Sequence, residues 1–456
     1  QRDGQTIRQA QVFQSHTKLS VDLPVAQTHE DVLWHWQRLV NEALVTAQAP
    51  MPGPVHINVP FREPFYPQAH QTWDYKLNLK IVKRSTATNQ LSDLDWAQLQ
   101  NKWLAAKRPL LVGGQYDYNP EELKNLVSFV EHYQVPLLGD GISNLHQIPG
   151  VVAHVELILG QSHETLADLQ PDLLITWGKS VISKNLKKFL RHYPATDHWH
   201  LQECGFPSDT FKSLSRIIPQ SPGAWFAQKK LPAQPNNEWY AQWQQQENRV
   251  SIYLKENLPK TDWNELTAAA IIVSSLKEVD LHLANSMAVR WADLFGINPH
   301  VLKVWANRGT SGIDGCNSTA VGHSLASKEQ EHHVLITGDM AFRYDRNAFW
   351  HQYPTSNLSI IILNNQGGGI FRLIDGPADQ PELEDYFVTQ QPYDARATAE
   401  ELGFAYTAAH NEEELKAGLQ QITVTSNQTM ILEVMVMGSV REEYRNLKNL
   451  ININHE

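Results

Sequence analysis

Val334-Leu335-Ile336-Thr337-Gly338-Asp339-Met340, followed after 23 intervening residues by Asn364-Asn365-Gln366-Gly367-Gly368-Gly369, decides how this chain folds. The first stretch is an apolar run that ends in an Asp. The second closes another apolar run, Leu358 to Leu363, with two Asn and three Gly. Runs this short, rich in β-branched residues, read as buried strands. Between them lies a helical pattern carrying Phe342, Phe349 and Trp350. The unit is strand, helix, strand, with a polar tip on each strand.

Similar runs recur outward from this unit, at Val55 to Val59, Leu110 to Val112, Leu173 to Thr176, Val301 to Trp305 and Met430 to Val436. Longer helical patterns separate them, among them Asp31 to Ala47, Pro120 to Tyr133 and Trp263 to Val279. Strands alternating with helices predict an α/β protein of parallel sheets flanked by helices on both faces. Ligands of such sheets bind beyond the carboxyl ends of the strands, so the residues after each run carry the function.

The length, 456 residues, exceeds what one compact core usually holds and predicts two or three domains. Composition breaks suggest a first block over 1–67, a linker over 68–91 and a central α/β block over 92–218. A linker with a bridging helix over 219–259 and a last block over 260–456 follow. One clear strand and one helix do not make an α/β domain, so the first block is expected to be the C-terminal part of a domain. With 38 basic against 49 acidic residues, the charge of −11 argues against a general nucleic-acid binder. Two cysteines, Cys204 and Cys316, make no disulfide framework and suggest a reducing cytoplasm. No apolar run reaches the ~18–20 residues that span a bilayer, so no membrane insertion is expected.

A hard divalent cation takes oxygen ligands in near-octahedral geometry. The Asp339 carboxylate, the Asn365 amide oxygen and the Gly367 carbonyl could supply three. Glycines after the second strand would let the backbone approach a phosphate closely. Either half alone reads as an ordinary turn or flexible loop; the two together, each closing a strand, read as a metal and diphosphate site. His198, His200 and Cys204 are zinc-type ligands in one stretch, but their spacing matches no zinc pattern. His332 and His333 are adjacent, so in a strand they face opposite ways.

Gly-Asp-X followed after twenty-odd residues by Asn-Asn resembles the signature of the thiamine-diphosphate-dependent decarboxylases and carboligases. Further segments narrow the resemblance: Asn307-Arg308-Gly309-Thr310-Ser311-Gly312-Ile313-Asp314-Gly315, Asn285 to Arg290, Gly367 to Phe371 and Gly53 to Pro64. Together they resemble the 2-succinyl-5-enolpyruvyl-6-hydroxy-3-cyclohexene-1-carboxylate synthase (MenD) family, over nearly the whole chain. The resemblance implies a three-domain enzyme of menaquinone biosynthesis using thiamine diphosphate and Mg²⁺, with Mn²⁺ as an alternative ion. It implies decarboxylation of 2-oxoglutarate and addition of the resulting carbanion to isochorismate.

By the same resemblance Asp339, Asn365 and Gly367 hold the metal. Gln5, Ser311, Ile313, Gly338, Met340 and Ala341 border the cofactor, with Ile313 as the apolar wedge under it. Ser286, Arg290, Arg308 and Lys184 bind substrate carboxylates, and Ile370 and Phe371 line an apolar wall. Two dicarboxylate substrates need several fixed cations, and Arg binds carboxylate bidentately. A homodimer or homotetramer is implied as well.

Asn185 stands where relatives often carry a second basic residue, and Gly4 where an Asn is common. The family's activating Glu lies ahead of the position matching Gln5, so the chain is expected to be N-terminally incomplete and inactive alone. Two alternatives stand beside this reading. One is another thiamine-diphosphate carboligase or decarboxylase acting on pyruvate; the other is a non-catalytic cofactor-binding fragment.

Overall fold

The computed structural model describes residues 7–25, 29–49, 51–61, 69–71, 79–85, 89–160, 166–228, 230–233, 237–258, 262–328, 330–422, 427–436 and 438. Its contacts divide the chain into two units: Gln1–Gln90 with Glu203–Pro207, and Leu91–Gln202 with Ser208–Glu456.

In the first unit, strand β1 (Leu19–Asp22) pairs in parallel with β2 (Val55–Asn58), and the helix Glu30–Gln48 connects them. Val21, Leu23, Leu39 and Ala43 form its small core. The other face of the helix leaves Leu33, Trp34 and Leu44 exposed. Of the motif running from Gly53 to Pro64, the strand is described and Arg62, Glu63 and Pro64 are not. Gln5 and Gly4 also lie outside the described residues.

The second unit holds two parallel sheets. The first runs in the order β4-β3-β5-β6-β7, from β3 (Pro109–Gly113), β4 (Leu137–Gly139), β5 (Leu173–Trp177), β6 (Asp197–Leu201) and β7 (Arg216–Ile218). The second runs β12-β13-β11-β10-β8-β9. Its strands are β8 (Asp280–Leu283), β9 (Lys303–Ala306), β10 (His333–Gly338), β11 (Leu358–Asn364), β12 (Ala405–Ala409) and β13 (Met430–Met435). Every residue of β3, β5 and β11 is buried, which explains why these strands read as unbroken apolar runs.

Parallel neighbours need crossovers, and sequence-coded caps start the helices that supply them. Asn119 and Glu122 form a capping box for Pro120–Tyr133, with Pro at its first turn. Ser92 caps Asp93–Ala105 by accepting the Asp95 N–H at 3.1 Å.

The span from Asp339 to Trp350, expected as one helical pattern, splits into the helix Asp339–Tyr344 and a 3₁₀ turn Arg346–Phe349. The break falls at Asp345, whose carboxylate accepts both the N–H and the hydroxyl of Ser318. The region over 219–259 contains the helices Pro222–Gln228 and Asn237–Asn257. They bury Trp225, Phe226, Trp239 and Trp243.

Three bonds fix strand β9 of the second sheet to the loops that follow β3 and β4 of the first. Asn144 accepts the Val304 N–H at 2.7 Å and donates to the Val304 carbonyl at 3.1 Å. Gln115 donates to the Ala306 carbonyl at 2.8 Å. The loop that follows β9 therefore leaves a rigid strand end. No described helix is long and apolar enough to cross a membrane.

Candidate active site

Four adjacent strands, β11, β10, β8 and β9, end side by side on one edge of the second sheet. Gly338 pairs with Leu363, and Leu283 pairs with both Ile336 and Ala306. Asp339, Asn365, Asn285, Ser286 and Arg308 thus emerge within three residues of these ends.

Asp339 is 4% exposed, yet its Oδ2 has no hydrogen-bond partner among the described residues. Burial pushes its pKa up to about 7. The Met340 N–H opposes the shift, the nearby Glu265 charge adds to it, and Arg343 and the Gly367 N–H oppose it. The Gly367 N–H also reaches Asn365 Oδ1 at 3.2 Å. The Gly367 N–H thus lies near both the Asp339 carboxylate and the Asn365 amide oxygen.

The Asn365 amide is oriented by its other end. Its Nδ2 donates to Glu265 at 2.7 Å, and Trp291 Nε1 donates to the same carboxylate at 2.8 Å. Glu265 is fully buried, and burial raises its pKa while these two donors lower it. Asn364 is structural: it donates to Glu433 at 2.7 Å and accepts the Gln366 N–H at 2.9 Å. That anchor holds Gln366 at a positive φ of 63° and turns the loop back toward Asp339.

The glycines differ in what they allow. A Cβ on Gly338 would meet nothing within 4 Å, so the backbone beside Asp339 faces open space. A Cβ on Gly367 would lie 2.8 Å from the Val388 carbonyl, so this position needs Gly for the close pass of the loop. Met340 is half-buried and Ala341 buried in the first turn after Gly338.

On the β8 and β9 side lies an open cleft of about 490 Å³, lined by Asn285, Arg308, Ser311, Gly312 and Thr319 among others. Arg308 Nη1 donates to Asn285 Oδ1 at 2.6 Å, and Asn285 Nδ2 donates to the Asn307 and Gly312 carbonyls, each at 2.8 Å. This one Asn orients the cation and closes the loop that carries Ser311. The Arg308 Nε is buried without a partner among the described residues. Ser286 is held at φ 72°, ψ −129°, a costly conformation for a residue with a Cβ, and Arg290 donates to its carbonyl at 2.5 Å. Ile313 and Ile370 are half-buried against the main core, and Phe371 packs on Phe387 at 5.6 Å between ring centroids.

Lys184 is exposed in the first turn of the helix Lys184–His192. The cation set beside Arg308 is Lys187, one turn along. Burial lowers its pKa, the Asp140 charge raises it, and Arg308 lowers it further. Asp140 is itself buried and pushed up to about 6 by desolvation. Asn285, Lys187, Asp140 and Glu265 were not singled out by sequence reasoning. Glu265 did leave a signal, as a lone charge beginning an otherwise apolar helix, Glu265–Ser275.

An unpartnered buried carboxylate oxygen, an oriented amide oxygen and adjoining open backbone suit a divalent cation with a diphosphate. The residues present therefore fit the group. Residues 286–434 match the family described as the C-terminal thiamine pyrophosphate binding domain, and residues 68–283 match its middle-domain family. A 2-succinyl-5-enolpyruvyl-6-hydroxy-3-cyclohexene-1-carboxylate synthase of Cytophaga hutchinsonii is 39% identical over 95% of this chain and 77% of its own length. Proteins of the same name from Flavobacterium psychrophilum and Phocaeicola vulgatus are 34% and 33% identical, over 96% and 98% of this chain and 78% and 80% of their own lengths. With its cofactor-type edge on the second sheet and relatives of one name along nearly all its length, the chain belongs to the 2-succinyl-5-enolpyruvyl-6-hydroxy-3-cyclohexene-1-carboxylate synthase family, enzymes dependent on thiamine diphosphate.

Proposed function

We propose that this protein decarboxylates 2-oxoglutarate and adds the remaining succinyl unit to isochorismate in menaquinone biosynthesis. The observation that carries the reading is the pairing, on one sheet edge, of an unmet acceptor, Asp339 Oδ2, with an unmet cationic donor, Arg308 Nε.

When bound, thiamine diphosphate supplies an electron sink for the bond to the departing carboxylate. Asp339, Asn365 and the Gly367 carbonyl would hold Mg²⁺, or Mn²⁺ in its place. Gly338, Met340, Ala341 and Ser311 would border the diphosphate, and Ile313 would support the cofactor from below. Gln5 keeps its expected cofactor role as a proposal.

Arg308 brings a charge that burial has already stripped of part of its hydration. A dicarboxylate that reaches it meets an oriented guanidinium and forms charge-assisted hydrogen bonds. Ser286, Arg290 and Lys184 would complete the carboxylate contacts, and Ile370 and Phe371 would exclude water on the apolar side. A homodimer or homotetramer in the cytoplasm is part of the same proposal.

The test is product analysis with isochorismate and either 2-oxoglutarate or pyruvate. Isochorismate consumption that requires 2-oxoglutarate, and CO₂ release matching it, supports the proposal. Turnover of pyruvate with indifference to 2-oxoglutarate would replace it with a pyruvate-directed carboligase.

A further inference from the structure

Deeper in the second sheet, away from the Asp339 edge, three imidazoles meet. His333 begins β10 opposite Asp280, and His282 lies opposite Leu335. The two His therefore project from the same sheet face. His323, from the helix Cys316–Ala326 packed on that face, joins them. His282 Nε2 lies 3.4 Å from His333 Nδ1 and 3.2 Å from His323 Nδ1. The three ligand atoms all lie within 4.8 Å of one another.

These separations have a chemical meaning. Zinc–nitrogen bonds of about 2.0–2.1 Å in a tetrahedron set ligand nitrogens about 3.3–3.4 Å apart. Hydrogen bonding serves the cluster incompletely, because His282 Nε2 faces two ring nitrogens and has either one proton to give or one lone pair to offer. A cation that accepts all three lone pairs serves it fully. His282 and His333 are 3% and 0% exposed, and His333 Nε2 has no partner among the described residues. Burial and mutual repulsion hold these two imidazoles in the neutral form that binds metals. The Trp305 ring walls the site, 4.7 Å from His323, and Asp280 is engaged by Trp305 Nε1 at 3.0 Å.

We propose that His282, His323 and His333 form a second metal site, for a first-row transition dication and Zn²⁺ foremost. An all-nitrogen set discriminates against Mg²⁺, which requires oxygen. Three imidazoles leave the fourth position of a tetrahedral ion for a water ligand. By the rise of a strand, His333 stands about 20 Å and His282, opposite Leu335, about 13 Å from the Asp339 edge. The ion would clamp β8, β10 and the helix Cys316–Ala326. The far ends of these elements deliver Ser286 and Asp339 and receive the Arg308 loop. Its role is to stiffen the frame of the active edge.

The experiment uses the purified protein in saturating Mg²⁺, which occupies sites built from oxygen. Co²⁺ is titrated while visible ligand-field absorption is recorded, and thermal unfolding is followed with and without Zn²⁺. One equivalent of Co²⁺ is expected, with the intense absorption of a tetrahedral site, together with a rise in Tm on adding Zn²⁺. His323→Gln should weaken Co²⁺ binding on the order of 100-fold, at least the upper range for outer-shell changes. His332→Gln, beside the cluster but outside it, should bind normally. Zinc-edge X-ray absorption of the unmutated protein should report three imidazoles, a readout independent of how any variant folds. Absence of Co²⁺ absorption, unaltered binding in His323→Gln, or an oxygen-only zinc environment would each overturn the proposal.

Discussion

Beyond the ends of β3 and β5, side chains fill the space: the cavity lined by Thr176, His198 and His200 measures about 20 Å³. Beyond β8 and β9 the cleft lined by Asn285, Arg308 and Ser311 measures about 490 Å³. Both sheets are parallel, and both would be expected to offer a ligand space at this edge. The glycines separate them. A Cβ on Gly113 would strike Leu145 at 2.6 Å, and one on Gly139 would meet Ser143 at 2.7 Å. Those glycines admit neighbouring side chains. Gly309 and Gly338 face nothing within 4 Å.

The polar groups differ in the same sense. Thr176 Oγ1 bonds His198 at 2.9 Å and His200 at 2.7 Å, so these three side chains satisfy one another. The second edge leaves Asp339 Oδ2 and Arg308 Nε without partners among the described residues. Topology thus supplies the location, and unmet polar atoms beside open backbone distinguish a site from a packed edge.

The sharpest way to break this contrast is Asp339→Asn. Thiamine-diphosphate affinity at fixed Mg²⁺ should fall by about 100-fold or more, read by titration calorimetry. The metal-free variant should be more stable than wild type by about 1–3 kcal/mol, because a buried carboxylate with one unpartnered oxygen is removed. A variant weakened in both respects would mark Asp339 as structural.

The packed edge predicts acid sensitivity. Burial, with the neighbouring His200, lowers His198 to about 4 from an ordinary value of 6.5, and burial lowers His200. A folded-state pKa below the unfolded one means that the unfolded chain binds the proton first. Stability is therefore full above pH 6.5 and is lost as pH falls toward about 4, by up to about 3 kcal/mol for His198. His198→Gln should flatten this slope in urea titrations at stepped pH.

Arg308→Ala should lower kcat/KM for the dicarboxylate substrate by about 10–100-fold, the value of a charge-assisted bond, and Arg308→Lys should recover part of it. Thr176→Val, on the packed edge, should leave kcat/KM unchanged. The smallest effect is expected from Ser286→Gly: relief of the positive φ should raise stability by about 1 kcal/mol while activity declines. Chemical denaturation and steady-state assays separate the two.

The edge that carries Asp339 and Asn365 was legible in the sequence because its pattern is local: oxygens at two strand tips, each announced by an apolar run. β10, β11 and β5 were legible for the same reason. β6, Asp197-His198-Trp199-His200-Leu201, was not, since its polar residues are satisfied by Lys102, Thr176 and Ser213 from elsewhere in the chain. Three-residue strands such as β4 and β7 carry too little pattern to read.

Long-range partners were equally hidden. Glu265 meets Asn365 across 100 positions, and Lys187 faces Arg308 from a different sheet's helix. Lys184, Lys187 and Lys188 are equivalent in sequence until the helix phase is known. The imidazole cluster draws on β8, β10 and a helix, and only folding brings the three together.

The central claim is that Asp339 and Asn365 share one cation. Crystals of the enzyme grown with thiamine diphosphate and Mn²⁺ test it through the anomalous signal of manganese. The predicted result is a manganese peak bonded to the Asp339 carboxylate, Asn365 Oδ1 and the Gly367 carbonyl, with diphosphate oxygens completing its shell. A bound cofactor whose manganese touches neither Asp339 nor Asn365 would contradict it.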